Sequence, residues 1–369
     1  MKALAEIYGS LFAHYSHTRA LVPFSFSFFS LHNRYEPHSG TPDDTVNFNL
    51  LLDDVRAALD ALEEETGRFY GLTAALPCGP SIIANQDIAH VGKRLTELNL
   101  MTYDFHGSWN EKTGVNAPLY DQEDSPEFSV HGCVANWLEG GAPKEKINIG
   151  FPFYGRSFLS AEHLYESHEG ADETTWHMDE GVPQYYNIMD KFAELTSVRD
   201  EQTMTQYAHL TTGMVSYDDE RAICDKTEYA QIHDLNGYII WELSGDLMPD
   251  LSTPLLDAAN AKLLNPNLDC AGLDLSNEVA GIMSEAGFTG PVAAGGGEPG
   301  VPKIVYYPNY SGAVCLNDGL QSDWLKATEI FGTVEVSLLL IAILFSVYHQ
   351  TVYSRSSPCL EMNYLGMLR

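Results

Sequence analysis

Side chains able to hold and orient a polar ligand crowd into one short stretch, Leu98-Asn-Leu-Met-Thr-Tyr-Asp-Phe-His-Gly-Ser-Trp109. Asp104 is a carboxylate, Tyr103 a phenol and His106 an imidazole, while Trp109 offers a flat apolar face with a polar edge. A carboxylate beside a phenol can accept and donate hydrogen bonds at one spot, and an exposed indole can cover the apolar side of a ring. His106 in isolation reads as a proton shuttle; its place within the run makes a loop-ordering role the simpler reading. Taken singly, Tyr103 and Asp104 read as a turn and Met101 and Trp241 as core residues, while Trp109 reads as an exposed loop aromatic, with a core aromatic as the alternative.

These groups need an element to present them. Leu98 to Thr102 is a largely apolar run that suits a strand buried on both faces, with the polar cluster at its carboxyl end. In barrels of parallel strands, that end is where substrates bind. Three further stretches repeat the pattern: Gly71-Leu-Thr-Ala-Ala-Leu-Pro77, Ile147-Asn-Ile-Gly-Phe-Pro-Phe-Tyr-Gly-Arg156 and Gly237-Tyr-Ile-Ile-Trp-Glu-Leu-Ser-Gly-Asp246. Helices are expected between them. Val46, Leu50, Leu51, Val55, Leu59 and Leu62 recur at helical spacing after the cap and first-turn residues Asp43, Asp44 and Thr45, and Glu63, Glu64, Glu65 and Gly67 close that helix as a solvated end. Gly107 to Asp124 reads as a long loop carrying Trp109, Asn116 and Tyr120. Ser125 to Leu138 reads as a helix broken by Gly140-Gly-Ala-Pro143, and Thr253 to Leu264 as a last helix after the cap signal Ser252-Thr253-Pro254.

Met101, Tyr103 and Asp104 on one strand, the Tyr154-Gly-Arg156 turn, and Trp241 on the last strand recur in this order in one family. With them the chain resembles glycoside hydrolase family 18, the chitinases and their lectin-like relatives. The resemblance runs from about Tyr35 to about Leu264. It implies an α/β fold: a partial (β/α)8 TIM barrel, strands five to eight, with a small α+β insertion between the last two strands. Trp176, Tyr185, Tyr186 and Tyr207 fall in that insertion, and Asp218 to His233 resembles the helix returning to the barrel. The implied boundaries are a non-family segment at 1–33, the partial barrel at 34–265 with the insertion at about 157–216, a linker at 266–302, a small Cys-containing module or tail at 303–335, and an apolar tail at 336–369.

The resemblance also implies roles. Tyr103 matches the tyrosine that supports the substrate acetamide, Met101 and Asp104 match residues lining the same subsite, Tyr154 and Arg156 match cleft residues, and Trp241 matches the floor under the reacting sugar. Trp109, on a loop at that face, offers its flat surface to a sugar. In this family the substrate's own N-acetyl carbonyl attacks the anomeric carbon, so the protein supplies a proton donor and holds the acetamide. The family donor is the final Glu of an Asp-x-x-Asp-x-Asp-x-Glu motif. That motif is absent from this sequence; at its expected place before Tyr35 stands Pro23-Phe-Ser-Phe-Ser-Phe-Phe-Ser-Leu31. The tract reads either as a half-buried strand, by its alternation, or as the pyrimidine-rich end of a translated intron. Glu242 is no substitute acid, because strand alternation turns it away from the face carrying Trp241.

Composition narrows the partners. The 51 acidic residues against 20 basic ones leave a formal charge of −31, which opposes binding to nucleic acid or anionic lipid but not to a neutral polysaccharide such as chitin or a chito-oligosaccharide. Keeping a secreted protein soluble is the simplest role for that charge. The six cysteines show no Cys-x-x-Cys pair and no histidine cluster at ligand spacing, so a structural zinc site is not expected; disulfides are open to it if the protein is secreted, with partners unassigned. The resemblance implies neither a metal nor an organic cofactor. The family implies an extracellular location, yet Met1-Lys-Ala-Leu-Ala-Glu-Ile-Tyr8 makes a poor leader, because Glu6 interrupts its apolar run. Residues 336–354 carry no Asp, Glu, Lys or Arg, but the strongly apolar part, Val336 to Tyr348, is short of the about 20 residues of a membrane span. That end reads either as a membrane anchor or as intron read-through, since Glu335-Val-Ser337 can be encoded by an intron's start.

Two expectations follow. One is a chitinase-lineage glycosidase acting on β-1,4-linked N-acetylglucosamine polymers with retention, inactive as written for want of its acid. The other is a chitin-binding lectin-like or vestigial protein.

Overall fold

In the computed structural model the described residues are 42–122, 128–177, 180–272 and 274–286, with 304–305 and 315–316. The chain divides into a unit ending at Gly290 and a second beginning at Pro291. In the second, β9 (Ile304–Val305) and β10 (Cys315–Leu316) pair antiparallel. The tract at 23–31 and the apolar tail at 336–354 lie outside the described residues.

Helix α1 (Pro42–Thr66) starts with Asp43 and Asp44 in its first turn and ends where Gly67 takes a left-handed φ of 67° and its N–H donates to Glu63 O at 2.8 Å. Its buried stripe is Leu52 and Leu59 with Phe48 and Val55, while Val46 and Leu50 face solvent. The helix is as expected, but the packed face is rotated from the sequence-derived stripe. Strand β1 (Thr73–Leu76), the short helices α2 (Pro80–Ile83) and α3 (Ile88–Arg94), strand β2 (Glu97–Leu100), helix α4 (Val130–Glu139) and strand β3 (Ile147–Pro152) follow. Helix α4 begins at Val130, because Ser129 takes an extended conformation and its hydroxyl caps the helix, accepting from Gly132 N at 2.9 Å; the start expected at Ser125 lies outside the described residues.

A second sheet comes next. Strand β4 (Arg156–Leu159), helix α5 (Tyr185–Asp190) and strands β5 (Thr196–Asp200), β6 (Thr205–His209) and β7 (Gly213–Tyr217) build an antiparallel sheet in the order β4-β7-β6-β5. Helix α6 (Glu220–Ile232) returns the chain to β8 (Gly237–Trp241), and α7 (Pro254–Leu264) and α8 (Leu275–Glu285) close the unit. Residues 275–285 fall within the stretch read as a linker, yet form a helix. Leu275, Val279 and Met283 recur at helical spacing, and α8 buries them against α7.

The first sheet has the order β1-β2-β3-β8 and every pair in it is parallel. Its register puts Ala74, Leu76, Leu98, Leu100, Ile147, Ile149 and Phe151 on one face, where they join Leu52 and Leu59 of α1, Val91 of α3 and Trp137 of α4 in one apolar cluster. The opposite face carries Ala75, Asn99, Gly150, Ile239 and Trp241. Among the described residues the sheet does not close into a barrel.

Among the described residues two disulfides tie loops to helices: Cys78–Cys133 joins the end of β1 to α4, and Cys224–Cys270 joins α6 to the segment after α7. Asp246, fully buried, accepts from Leu255 N at 3.0 Å and Leu256 N at 2.8 Å at the start of α7, and burial pushes its carboxyl up to about 7. Among the described residues no helix is long and apolar enough to cross a membrane.

Two outcomes follow from these contacts. Replacing Cys224 and Cys270 together by Ser is expected to lower stability by about 2–4 kcal/mol, read from the urea midpoint, because closing a loop of 46 residues restricts the unfolded chain. Asp246 holds its proton more tightly folded than unfolded, so its contribution is present at about pH 4 and declines as pH rises to about 7. The stability of the wild type relative to Asp246→Asn, measured by urea unfolding, should therefore fall across that interval.

Candidate functional site

The carboxyl ends of β2, β3 and β8 come together around a cleft of about 460 Å³. Its lining includes Met101, Tyr103, Asp104, Tyr154, Arg156 and Trp241, so every site residue expected from the sequence borders it except Trp109. Trp109 stands at the rim, 46 % exposed, with the Arg156 guanidinium 5.0 Å from its ring centroid, a cation–π contact. Trp241 is 41 % exposed at the end of β8.

Asp104 is the hub. Its Oδ1 accepts from Tyr154 Oη at 2.8 Å and from Arg156 Nε at 2.8 Å, with Arg156 Nη2 on the same oxygen. These charge-assisted bonds join the end of β2 to the end of β3 and to the first residue of β4, so one carboxylate ties both sheets together. The backbone at Asp104 is left-handed, φ 61°, a conformation that Asp tolerates better than most residues.

Asn116, buried in the long loop, holds that turn. Its Oδ1 accepts from Asp104 N at 3.0 Å and its carbonyl from Phe105 N at 2.9 Å, while its own N–H donates to Ser216 Oγ on β7 at 2.9 Å. His106 is buried too; its Nδ1 meets Gln122 Nε2 at 3.1 Å, and Gln122 Oε1 accepts from Val115 N at 2.6 Å. The imidazole thus belongs to the loop's internal bonding and does not border the cleft.

Tyr103 lies over Gly150 of β3. A Cβ there would come within 2.6 Å of the Tyr103 ring, so only glycine admits the ring at this place. Burial, reinforced by the charge of Asp104, pushes the Tyr103 phenol well up, and burial acts likewise on Tyr154. Both hydroxyls therefore keep their protons and remain donors across physiological pH. Burial works against the charge of Arg156, but Asp104 outweighs it and the guanidinium is held more firmly protonated.

Asp104 is the only carboxyl among the described lining residues. Glu242 is not in the lining; its Oε1 accepts from Ser244 Oγ at 2.5 Å. For a metal, the described residues offer one cluster, Asp225, Glu228 and Cys270, but Cys270 is in a disulfide, Asp225 bonds Arg199 at 2.5 Å and Glu228 bonds Lys262 at 2.6 Å. Asn116 as a positioning residue and Gln184 in the cleft wall were not singled out from the sequence as site residues. A buried role for a polar loop residue depends on partners far along the chain, here up to 100 positions away.

Comparison with known proteins shows the family. Residues 16–246 match the family model for Glycosyl hydrolases family 18, a range that begins ahead of Tyr35. The sequence is 30 % identical over 236 residues to Chitinase A1 of Niallia circulans, covering 59 % of this chain and 34 % of the relative. A Group IV chitinase of Ostrinia furnacalis aligns with TM-score 0.59 at 26 % identity, over 70 % of this chain and 72 % of the other. Human YKL-39, described as a pseudo-chitinase with retained chitooligosaccharide binding properties, aligns with TM-score 0.57 at 26 % identity, over 60 % of this chain and 66 % of the other. The chain spans between a third and about half the length of the first curated relatives it matches. Family and solved relatives together make the fold a TIM-barrel-type α/β fold.

Asn116→Ala leaves the Asp104 N–H without its acceptor. The variant is expected to lose about 1–3 kcal/mol in urea unfolding.

Proposed function

Because the chain belongs to glycosyl hydrolases family 18, we propose that its cleft takes an oligomer of β-1,4-linked N-acetylglucosamine, from chitin or its fragments, and that the chain as given binds this ligand without cleaving it. The observation that carries the reading is the Asp104 hub, which holds Tyr103, Tyr154 and Arg156 around the cleft with Trp241 exposed beside them. In this reading β1, β2, β3 and β8 are strands five to eight of a (β/α)8 barrel, and the antiparallel sheet is an insertion between the last two.

Each side chain has a task. Tyr103, a phenol that keeps its proton, donates to the acetamide carbonyl, the group that attacks the anomeric carbon in the family's substrate-assisted, retaining chemistry. Asp104, braced by Arg156, accepts from a sugar hydroxyl. Trp241 lies under one sugar ring, Met101 fills the wall beside it, and Trp109, stacked on Arg156, extends the aromatic surface to a neighbouring unit. No metal or organic cofactor enters this chemistry. The two disulfides fit an oxidising, extracellular setting.

Cleavage needs a proton for the leaving oxygen. The sequence lacks the acidic motif, and the one carboxyl among the described lining residues, Asp104, serves as an acceptor for Tyr154 and Arg156. The lineage is that of a chitinase, and the missing donor favours a binding role for this sequence. The likeness to a pseudo-chitinase that keeps chitooligosaccharide binding supports that second reading.

Calorimetric titration with chitohexaose should show saturable binding, weakened at least about tenfold in Asp104→Ala, as loss of a charge-assisted bond implies. A chromogenic chitobioside should release no product above buffer. Release by the wild type would contradict the binding-only reading, and absence of chitohexaose binding would contradict the site.

A further inference from the structure

Gln184 stands in the cleft wall with a side chain that the protein itself leaves unpaired. It occupies the N-cap of α5, where a side-chain oxygen ordinarily accepts from the first free helical N–H groups, yet it makes no such bond. The residue is only 9 % exposed, and its Oε1 is buried without a hydrogen-bond partner. The backbone cannot carry it elsewhere. Gln184 bridges Tyr154 in antiparallel fashion, Gly155 N donates to Pro183 O at 2.7 Å, and Tyr185 N donates to Phe153 O at 2.9 Å.

The space beside the carboxamide is bounded by acceptors. A Cβ built on Gly245 would lie 2.2 Å from Phe153 O and 2.5 Å from Gln184 Oε1, so the two oxygens border one small space. A half-turn about Cγ–Cδ exchanges the oxygen and the NH2 group, which turns a donor toward the Phe153 carbonyl and the oxygen toward the cleft. Turned so, the NH2 group has the Phe153 carbonyl for a partner, and the oxygen is left to accept from a donor that a bound ligand can supply.

Resting on the saccharide reading above, we propose that Gln184 is a specificity-determining residue: its carboxamide oxygen accepts a hydrogen bond from an N–H or O–H of the sugar unit lying against the Tyr154 wall. Its bond adds to those of Tyr103 and Asp104, and it reaches the ligand from the antiparallel-sheet side of the cleft.

The test compares the wild type and Gln184→Leu by calorimetric titration with chitohexaose and by thermal melting. Leu keeps the bulk and removes the acceptor. The expected result is affinity about tenfold weaker for Gln184→Leu, the size of one neutral hydrogen bond. The variant should melt within about 3 °C of the wild type. Wild-type affinity in Gln184→Leu overturns the proposal, as does weakening accompanied by a melting point more than about 3 °C lower, which marks a structural role. If the wild type itself fails to bind chitohexaose, the saccharide reading falls and this proposal with it; binding by the wild type with no effect of Gln184→Leu sinks the proposal alone.

Discussion

The contact on which the rest of the site depends is the carboxylate of Asp104 accepting from Tyr154 and Arg156. Asp104 follows β2, Tyr154 follows β3, and Arg156 opens the antiparallel sheet, so this contact sets how the two sheets meet at the cleft. A charged group on each side makes the bonds strong, and partial burial keeps water from competing fully with them. The cost is a left-handed turn at Asp104, which Asn116 offsets by accepting its N–H. Tyr103 then has one place to lie, over a glycine that leaves it room, and Arg156 in turn carries Trp109 on its guanidinium.

Much of this was legible in the sequence, and particular residues show why. The runs at Gly71–Pro77, Leu98–Thr102, Ile147–Pro152 and Gly237–Trp241 are apolar and end in polar clusters, because strands with one face on helices need the first and a site at their ends supplies the second. Local signals also placed α1, with Asp43 and Asp44 in its first turn, and α7, with Pro254 at its start. What failed was set by neighbours rather than by local pattern. Helix α4 starts at Val130 because Ser129 makes the capping bond, and α1 turns Val46 and Leu50 outward because α3 and the sheet take Leu52 and Leu59. Helix α8 was read as linker, since its few apolar residues become a signal only with α7 to pack against.

The site divides along the same line. Met101, Tyr103, Asp104, Tyr154, Arg156 and Trp241 are motif residues at strand ends, and the fold brings them to one cleft. Asn116 and Gln184 carry no motif; their importance lies in one bond made to a distant backbone and one bond not made at all. The chemistry of the cleft is correspondingly lopsided. It is rich in groups that hold a sugar, two protonated phenols, a braced carboxylate and exposed indoles, and it has no second carboxyl among the described lining residues to protonate a leaving oxygen.

The most direct test of the account is a crystal structure of the protein with chitohexaose bound. The account predicts an intact oligomer with one ring on Trp241, its acetamide carbonyl accepting from the Tyr103 hydroxyl and a sugar hydroxyl on Asp104. An oligomer seated away from these residues, or one cleaved in the crystal, would contradict it.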